Sequence, residues 1–148
     1  METSLSQQAE RLSRRRARML PMLAVLYLAQ QASYLSQPPD TGRLVDHFRI
    51  GAWVMLSAVL LAALVTGGMW LRKPELRALL NDESSRAHRA DALGTGFVVA
   101  MATGIVLYVV NSVSPMSSRE TIHLIVSLGI VAALIRFGFL ERRALKDG

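Results

Sequence analysis

Residues 50–71 read IGAWVMLSAVLLAALVTGGMWL, and they hold no charged side chain. A helix rises 1.5 Å per residue, so this stretch is about 33 Å long, enough to cross a hydrocarbon core of about 30 Å. Trp53 and Trp70 lie near its two ends, where indole rings anchor at membrane interfaces. A soluble helix needs a polar face, which this segment lacks. The stretch therefore predicts a transmembrane helix.

Three more stretches share this apolar character to different degrees. The chain carries no charge from Ala92 to Ser118, and Pro115 ends the helix expected there. We predict an all-α membrane protein in which a single domain, residues 1–148, forms a four-transmembrane-helix bundle with a cytoplasmic loop at 72–91. The predicted spans are 19–36, 48–71, 92–114 and 121–140.

The first span is the most polar of the four. Pro21 fits a first-turn position, where a missing backbone N–H costs nothing. Gln30, Gln31 and Tyr34 make the second half polar, and such side chains should face protein or the interface rather than lipid tails. These three residues are the candidate ligand-binding residues if the protein binds a small molecule.

Basic residues are distributed unequally among the segments that flank the spans. With the N-terminus inside, the inner segments hold 14 Lys and Arg residues and the outer segments hold 3. Cytoplasmic segments of membrane proteins carry such an excess. We therefore expect a multi-pass protein of the cell inner membrane, N-in/C-in. The same excess of basic residues in cytoplasmic segments accounts for the sequence pI of about 10.7, so we expect no direct binding of nucleic acid.

The sequence contains no motif that indicates catalysis. There is no cysteine, no phosphate-cradling glycine loop, no Ser/His/Asp spacing and no metalloprotease pairing of histidines. No Asp or Glu falls in the middle of a predicted span, so a proton-driven antiporter would lack its central carboxylate. We therefore expect a protein that is not an enzyme.

Two histidines lie at the starts of predicted spans. His47 precedes the second span and His123 is near the start of the fourth, so both are expected near the outer surface. Two histidines on neighbouring helices can bind one haem axially. Four-helix b-type cytochromes carry a second histidine pair, which has no counterpart here because His88 lies in the cytoplasmic loop. We expect no metal and no cofactor, with haem at His47 and His123 as the alternative.

Small residues recur at the spacing that lets helices pack closely in lipid. Ala100 and Gly104 are four residues apart, as are Gly129 and Ala133. This pattern predicts close helix contacts inside one bundle, and it also fits a homo-oligomer.

One charged residue, Arg136, lies inside an apolar pattern. It is about one turn from the cytoplasmic end of the fourth span, so its long side chain can snorkel to the headgroups. A polar partner such as Asn111, or an acidic lipid, is the alternative.

The segment that leads into the third span has the most distinctive charge pattern. Residues 80–90 read LNDESSRAHRA, in which Asp82, Glu83, Arg86 and Arg89 combine both signs. With this Asp-Glu…Arg stretch before a span, the chain resembles small multi-span bacterial membrane proteins of uncharacterised families. Members of those families are often associated with a small helix-turn-helix regulator. The resemblance implies that these four residues bind a cytoplasmic regulatory protein, whereas a capped, solvated helix start is the plain alternative.

The sequence thus indicates a non-enzymatic integral membrane protein, a regulatory or interaction partner of a cytoplasmic or membrane protein. One alternative is a small-molecule transporter or binder that uses the polar half of the first span. The other is a haem- or quinone-binding redox subunit that uses His47 and His123.

Overall fold

All regular secondary structure in the described part of the chain is α-helical. The structure, a computed structural model, describes residues 2–35, 44–67 and 83–147. The helices are α1 (Glu2–Leu35), α2 (Leu44–Thr66), α3 (Glu83–Val113) and α4 (Ser118–Asp147). Segments of α2, α3 and α4 are long and apolar enough to cross a membrane, namely His47–Thr66, Glu83–Val113 and Ser118–Lys146. The expected helical bundle is confirmed to this extent, and three such helices support a membrane location.

The stretch quoted first forms most of α2, which ends at Thr66, before the predicted 71. The next residue, Gly67, has a φ of 76°. Glycine adopts this left-handed conformation without steric cost and commonly ends helices in this way. Gly67 therefore stops the helix inside the apolar run, and the rest of that run lies outside the described residues.

α3 is longer than the predicted third span. It begins at Glu83, so residues 83–91 of the predicted loop are helical, while 72–82 lie outside the described residues. A tight turn then joins α3 to α4, as expected from the short link. α4 begins with a capping box, in which Glu120 N donates to Ser117 Oγ over 3.2 Å and Ser117 N donates to Glu120 Oε2 over 2.9 Å.

α4 is the central helix, since it packs against each of the other three. In its most apolar 18-residue window 44% of the residues are buried, compared with 17% in α2 and 6% in α3. Most of the apolar surface of α3 is therefore exposed, as in a helix that faces lipid. The buried core consists of Ala24, Tyr27, Leu60, Leu64, Ala92, Ile130, Val131, Ala133, Leu134 and Phe137.

Small residues bring α3 and α4 into close contact. A Cβ placed on Gly96 would lie 2.7 Å from the carbonyl oxygen of Gly129 and 2.9 Å from Cβ of Ala133. A Cβ on Gly129 would lie 3.0 Å from Cβ of Ala100. Three of the four small residues singled out in the sequence, Ala100, Gly129 and Ala133, thus make the tight contacts of this interface. The fourth, Gly104, has room for a methyl group, since its nearest neighbour would be 3.6 Å away.

Pro21 lies inside α1, so the prediction of a first-turn position is wrong. Proline has no N–H, which leaves the carbonyl oxygen of Ala17, four residues earlier, without its helical donor. Arg142 of α4 supplies a replacement, because its Nε donates to this oxygen over 3.0 Å. Gly138, one turn before Arg142, lets the proline ring approach, since a Cβ there would lie 2.9 Å from Cδ of Pro21.

Candidate functional site

Three helices place polar and aromatic side chains together at the end of the bundle where α1 ends and α2 begins, here called the pocket end. Each helix contributes two residues at i and i+4, which lie on one helical face. The pairs are Tyr27 and Gln31 on α1, Trp53 and Ser57 on α2, and His123 and Ser127 on α4. All are buried except Trp53, which is partly buried.

The deeper layer of this cluster is a hydrogen-bonded group of hydroxyls. The oxygens of Tyr27 and Ser57 are 2.6 Å apart, and Ser127 Oγ donates to the Tyr27 hydroxyl over 3.5 Å. Trp53 Nε1 donates to Ser127 Oγ over 3.4 Å. A buried polar group costs free energy unless it is hydrogen-bonded, so these contacts stabilise the polar centre of an otherwise apolar bundle.

The layer nearer the pocket end joins His123 to Gln31 and Trp53. His123 Nε2 is hydrogen-bonded to the side-chain amide of Gln31 at Oε1. The imidazole stacks on the Trp53 indole, with ring centroids 4.1 Å apart and planes 21° apart. The two contacts fix the position and orientation of the histidine ring.

One donor of this layer has no acceptor in the described part of the protein. Gln31 is 4% exposed, and its Nε2 makes no hydrogen bond there. Leaving a buried donor unpaired costs about 1–3 kcal/mol, and native structures contain few such groups. The amide is therefore available to an acceptor that lies outside the described residues.

A cavity of about 150 Å³ lies beside this amide. A cavity of roughly this volume holds a molecule the size of benzene. Besides Gln31 and His123, the lining includes the cationic Arg49 and the rings of Phe48 and Trp53. Gln30 and Ala52 also line it. The described part of the lining thus combines a cation, an unpaired donor and aromatic rings.

The three residues predicted to bind a ligand differ in their positions in the structure. Gln31 is buried in the polar cluster, and Gln30 is exposed at the cavity. The side chain of Tyr34 lies outside the described residues. Sequence reasoning missed the contribution of Trp53 and Arg49, although Trp53 and Ser57 share the i, i+4 spacing that Gln31 and Tyr27 show.

The two histidines considered for haem are in different environments. His47 is exposed, whereas His123 is buried and bonded to Gln31. Among the described residues, no three His, Cys, Asp or Glu side chains come close enough to hold a metal ion together.

The chain matches no protein-family model, no curated protein and no solved structure, so the chemistry of the site rests on its own residues.

The residues predicted to bind a partner lie at the opposite end of the bundle. Glu83 and Arg86 are exposed in the first turn of α3, and Asp82 lies outside the described residues. Arg89 is only 8% exposed and donates to the carbonyl oxygens of Ser85 and Val65 over 3.3 and 3.4 Å. The carbonyl of Val65 is among the last four of α2, which lack helical donors. Arg89 therefore caps α2 from within the bundle.

Two carboxylates tie α3 to α4 near this end. Glu141 is 5% exposed and accepts from Ser85 Oγ over 3.4 Å, with His88 Nδ1 at 3.8 Å from the same oxygen. Asp91 accepts from Arg136, whose Nε and Nη2 lie 3.0 and 2.8 Å from one carboxylate oxygen. The charge of Arg136 is therefore paired within the protein, by a residue that the sequence reasoning did not consider.

Proposed function

We propose that the protein crosses the bacterial inner membrane four times, with both termini in the cytoplasm. The fourth crossing would be α1, which the apolar criterion alone does not include. Its central part exposes apolar side chains, since Met22, Val25 and Leu26 are each 64% exposed, whereas Tyr27 and Gln31 are buried. A half-polar helix can cross a bilayer when its polar residues face other helices. The 14-to-3 asymmetry of basic residues supports the orientation.

Cysteine labelling tests this topology, because the chain contains no natural cysteine. Ala87→Cys places a thiol at an exposed position near the start of α3, and Ser118→Cys places one at the exposed start of α4. Because a tight turn joins α3 to α4, these two positions lie at opposite ends of the helix pair. In intact cells, a membrane-impermeant maleimide should label the variant at 118, and the variant at 87 only after permeabilisation. The reverse pattern would contradict N-in/C-in.

We propose further that the pocket end binds a small carboxylate with a planar, apolar body. The observation that carries this proposal is the buried Nε2 of Gln31, which lies beside the cavity and lacks an acceptor among the described residues. A carboxylate oxygen would accept from this amide, and Arg49 would balance its charge. The rings of Phe48 and Trp53 would contact the planar body.

The binding function would be regulatory rather than catalytic and would need no cofactor. α4 connects the pocket end, at His123, with Glu141, which contacts α3 next to its exposed first turn. The two residues are 18 positions apart, or about 27 Å along a helix. In this proposal a ligand that displaces His123 shifts α4 and so changes how Glu83 and Arg86 are presented to a cytoplasmic partner.

A fluorescence titration tests ligand binding directly. The chain has two tryptophans, and Trp70→Phe leaves Trp53, which lines the cavity, as the single reporter. In nanodiscs, benzoate should change this emission saturably, whereas benzyl alcohol, which has a similar shape and no charge, should bind much more weakly. Equal responses to both compounds, or no saturation with benzoate, would count against a carboxylate site.

A pair of neighbouring glutamines provides the matched control. Gln31→Leu should weaken benzoate binding about 10- to 100-fold, because a hydrogen bond to a charged group is worth about 1.5–3 kcal/mol. Gln30→Leu should have a much smaller effect, since this side chain is exposed. If both substitutions weakened binding equally, the buried amide would not be the ligand's donor.

Crosslinking in native membranes tests for a regulatory partner. The crosslinking reagent is placed at position 86, where Arg86 is exposed. A cytoplasmic protein should be captured, and Glu83→Lys should reduce the capture. Recovery of the protein alone would contradict a regulatory partner, and recovery of crosslinked copies would indicate a homo-oligomer instead.

A further inference from the structure

The contact between α3 and α4 at the end of the bundle opposite the pocket contains the third histidine of the chain. Ser85 and His88 are three residues apart and therefore share one face of α3. Glu141 of α4 lies against both, because its Oε1 accepts from Ser85 Oγ over 3.4 Å and is 3.8 Å from His88 Nδ1. A single carboxylate oxygen thus joins α4 to the first two turns of α3.

The two ionisable partners of this contact differ in exposure. The side chain of Glu141 is 5% exposed, whereas that of His88 is 24% exposed. The carboxylate is therefore shielded from water, while the imidazole can exchange a proton with the solvent. Attraction between two charges increases where water is excluded, and losing one charge of a buried pair is destabilising. The strength of the contact therefore depends on the protonation of His88.

The length of the contact makes it sensitive to charge. At 3.8 Å, Nδ1 of His88 and Oε1 of Glu141 are too far apart for a hydrogen bond, so a neutral imidazole gains little from this arrangement. A protonated imidazole is attracted to the carboxylate at the same distance. Histidine is the side chain that ordinarily changes its charge between about pH 5 and 8.

The other charged groups described at this end are of types that ordinarily keep their charge over that range. Arg89 and Arg142, the residues that follow the pair, donate to backbone carbonyl oxygens of α2 and α1, respectively. α2 has no titratable side chain from Ile50 to Thr66. The exposed charged groups include Arg14 and Arg18 on α1, Glu83 and Arg86 on α3, and Arg143 and Lys146 on α4. His47 and His123 lie at the pocket end, so His88 is the histidine that can make this end respond to pH.

We propose that His88 and Glu141 form a pH-sensitive latch, which holds the start of α3 against α4 while the imidazole is protonated and releases it as the pH rises toward 8. Release increases the motion of the first two turns of α3, which carry the exposed Glu83 and Arg86. A consequence for partner binding rests on the proposed function. The latch itself requires neither a ligand nor a partner.

A spin label at Ala87→Cys measures the motion of this segment, because the chain has no other cysteine. Continuous-wave EPR spectra of the full-length protein in nanodiscs are recorded from pH 5 to pH 8. The ratio of mobile to immobile label should rise about fivefold over this range, as expected for loss of a partly exposed ion pair. A label at Ser118→Cys, at the other end of the helix pair, should not respond. A constant ratio at position 87, or an equal change at position 118, would overturn the proposal.

Substitutions in the labelled protein identify the groups that respond to pH. His88→Gln and Glu141→Gln each remove one charge of the latch, so the label should be mobile at every pH. His88→Lys keeps a positive charge up to pH 8, so the label should stay immobile throughout, and this variant tests the latch even if the glutamine variants do not fold. A wild-type pH response in any folded variant would refute the latch. Benzoate binding is measured separately through Trp53, so failure of the latch and failure of the ligand site give different results.

Discussion

The hydrogen bond from Arg142 to Ala17, four residues before Pro21, gives a prediction that depends on a single missing N–H. The carbonyl oxygen of Ala17 lacks its helical donor because residue 21 is proline, and Arg142 Nε donates to it over 3.0 Å. In a Pro21→Ala variant the new N–H would donate to Ala17 within the same continuous helix. Arg142 should then contribute much less to stability than it does in the wild-type protein.

The expected size of this coupling follows from the environment of the bond. A hydrogen bond from a charged donor contributes about 1.5–3 kcal/mol when well buried. Arg142 is exposed, so we expect solvent to reduce its contribution to about 1 kcal/mol. Arg142→Gln should cost about this much in the wild-type background and close to zero in the Pro21→Ala background, which gives a coupling energy of about 1 kcal/mol.

Unfolding by SDS in mixed micelles, followed by circular dichroism, measures the four free energies of this double-mutant cycle. Lys146→Gln is the matched control, because it removes a charge one turn further along α4 without a hydrogen bond to Ala17. Its coupling to Pro21→Ala should be close to zero. If Arg142→Gln cost the same in both backgrounds, the view that Arg142 replaces the missing helical donor would be refuted.

Three further predictions concern the packing and ends of α3 and α4. Gly96→Ala should destabilise the bundle by about 1–3 kcal/mol, because the added methyl group overpacks against α4. Gly94→Ala should stabilise it by about 0.5–1 kcal/mol, because no neighbouring atom lies within 4 Å of the Cβ position. The opposite order in SDS titrations would disprove the close contact between α3 and α4. Glu120→Ala should lower the thermal midpoint by opening the capping box, and Glu120→Gln should restore most of it. Asp91 and Arg136 are 48% and 41% exposed, so a double-mutant cycle should give a coupling of at most about 1 kcal/mol that falls with added salt.

The helical architecture follows from the sequence because hydrocarbon length and charge-free runs are local properties. The apolar helices α2, α3 and α4 and the short hairpin between α3 and α4 were predicted in this way. The described helix α2 ends at Thr66 because Gly67 adopts a left-handed conformation inside a run that is still apolar, and residues 68–71 of the predicted span lie outside the described residues. Pro21 was misplaced because the donor that permits it inside α1 is Arg142, 121 residues away in the chain.

The candidate site was predictable only on one of its three helices. Gln31 stood out because a glutamine in an apolar stretch needs a partner. The partners themselves, His123 and Trp53, depend on which faces of α2 and α4 turn toward α1, and no local pattern specifies this. Arg89 illustrates the same limit, since its charge suggested an exposed contact and its side chain caps α2 inside the bundle.

The side-chain amide of Gln31 provides the most direct test of the proposed ligand site. The chain has five glutamines, so ¹⁵N labelling of glutamine gives few side-chain signals, and the signal missing from Gln31→Leu identifies the one of interest. In nanodiscs, this amide should exchange slowly with water, and benzoate should shift its proton resonances while leaving most other glutamine signals unchanged. Two results would contradict a buried donor that binds the ligand. The Gln31 amide could exchange as fast as the exposed glutamines, or its resonances could fail to respond to saturating benzoate in the folded protein.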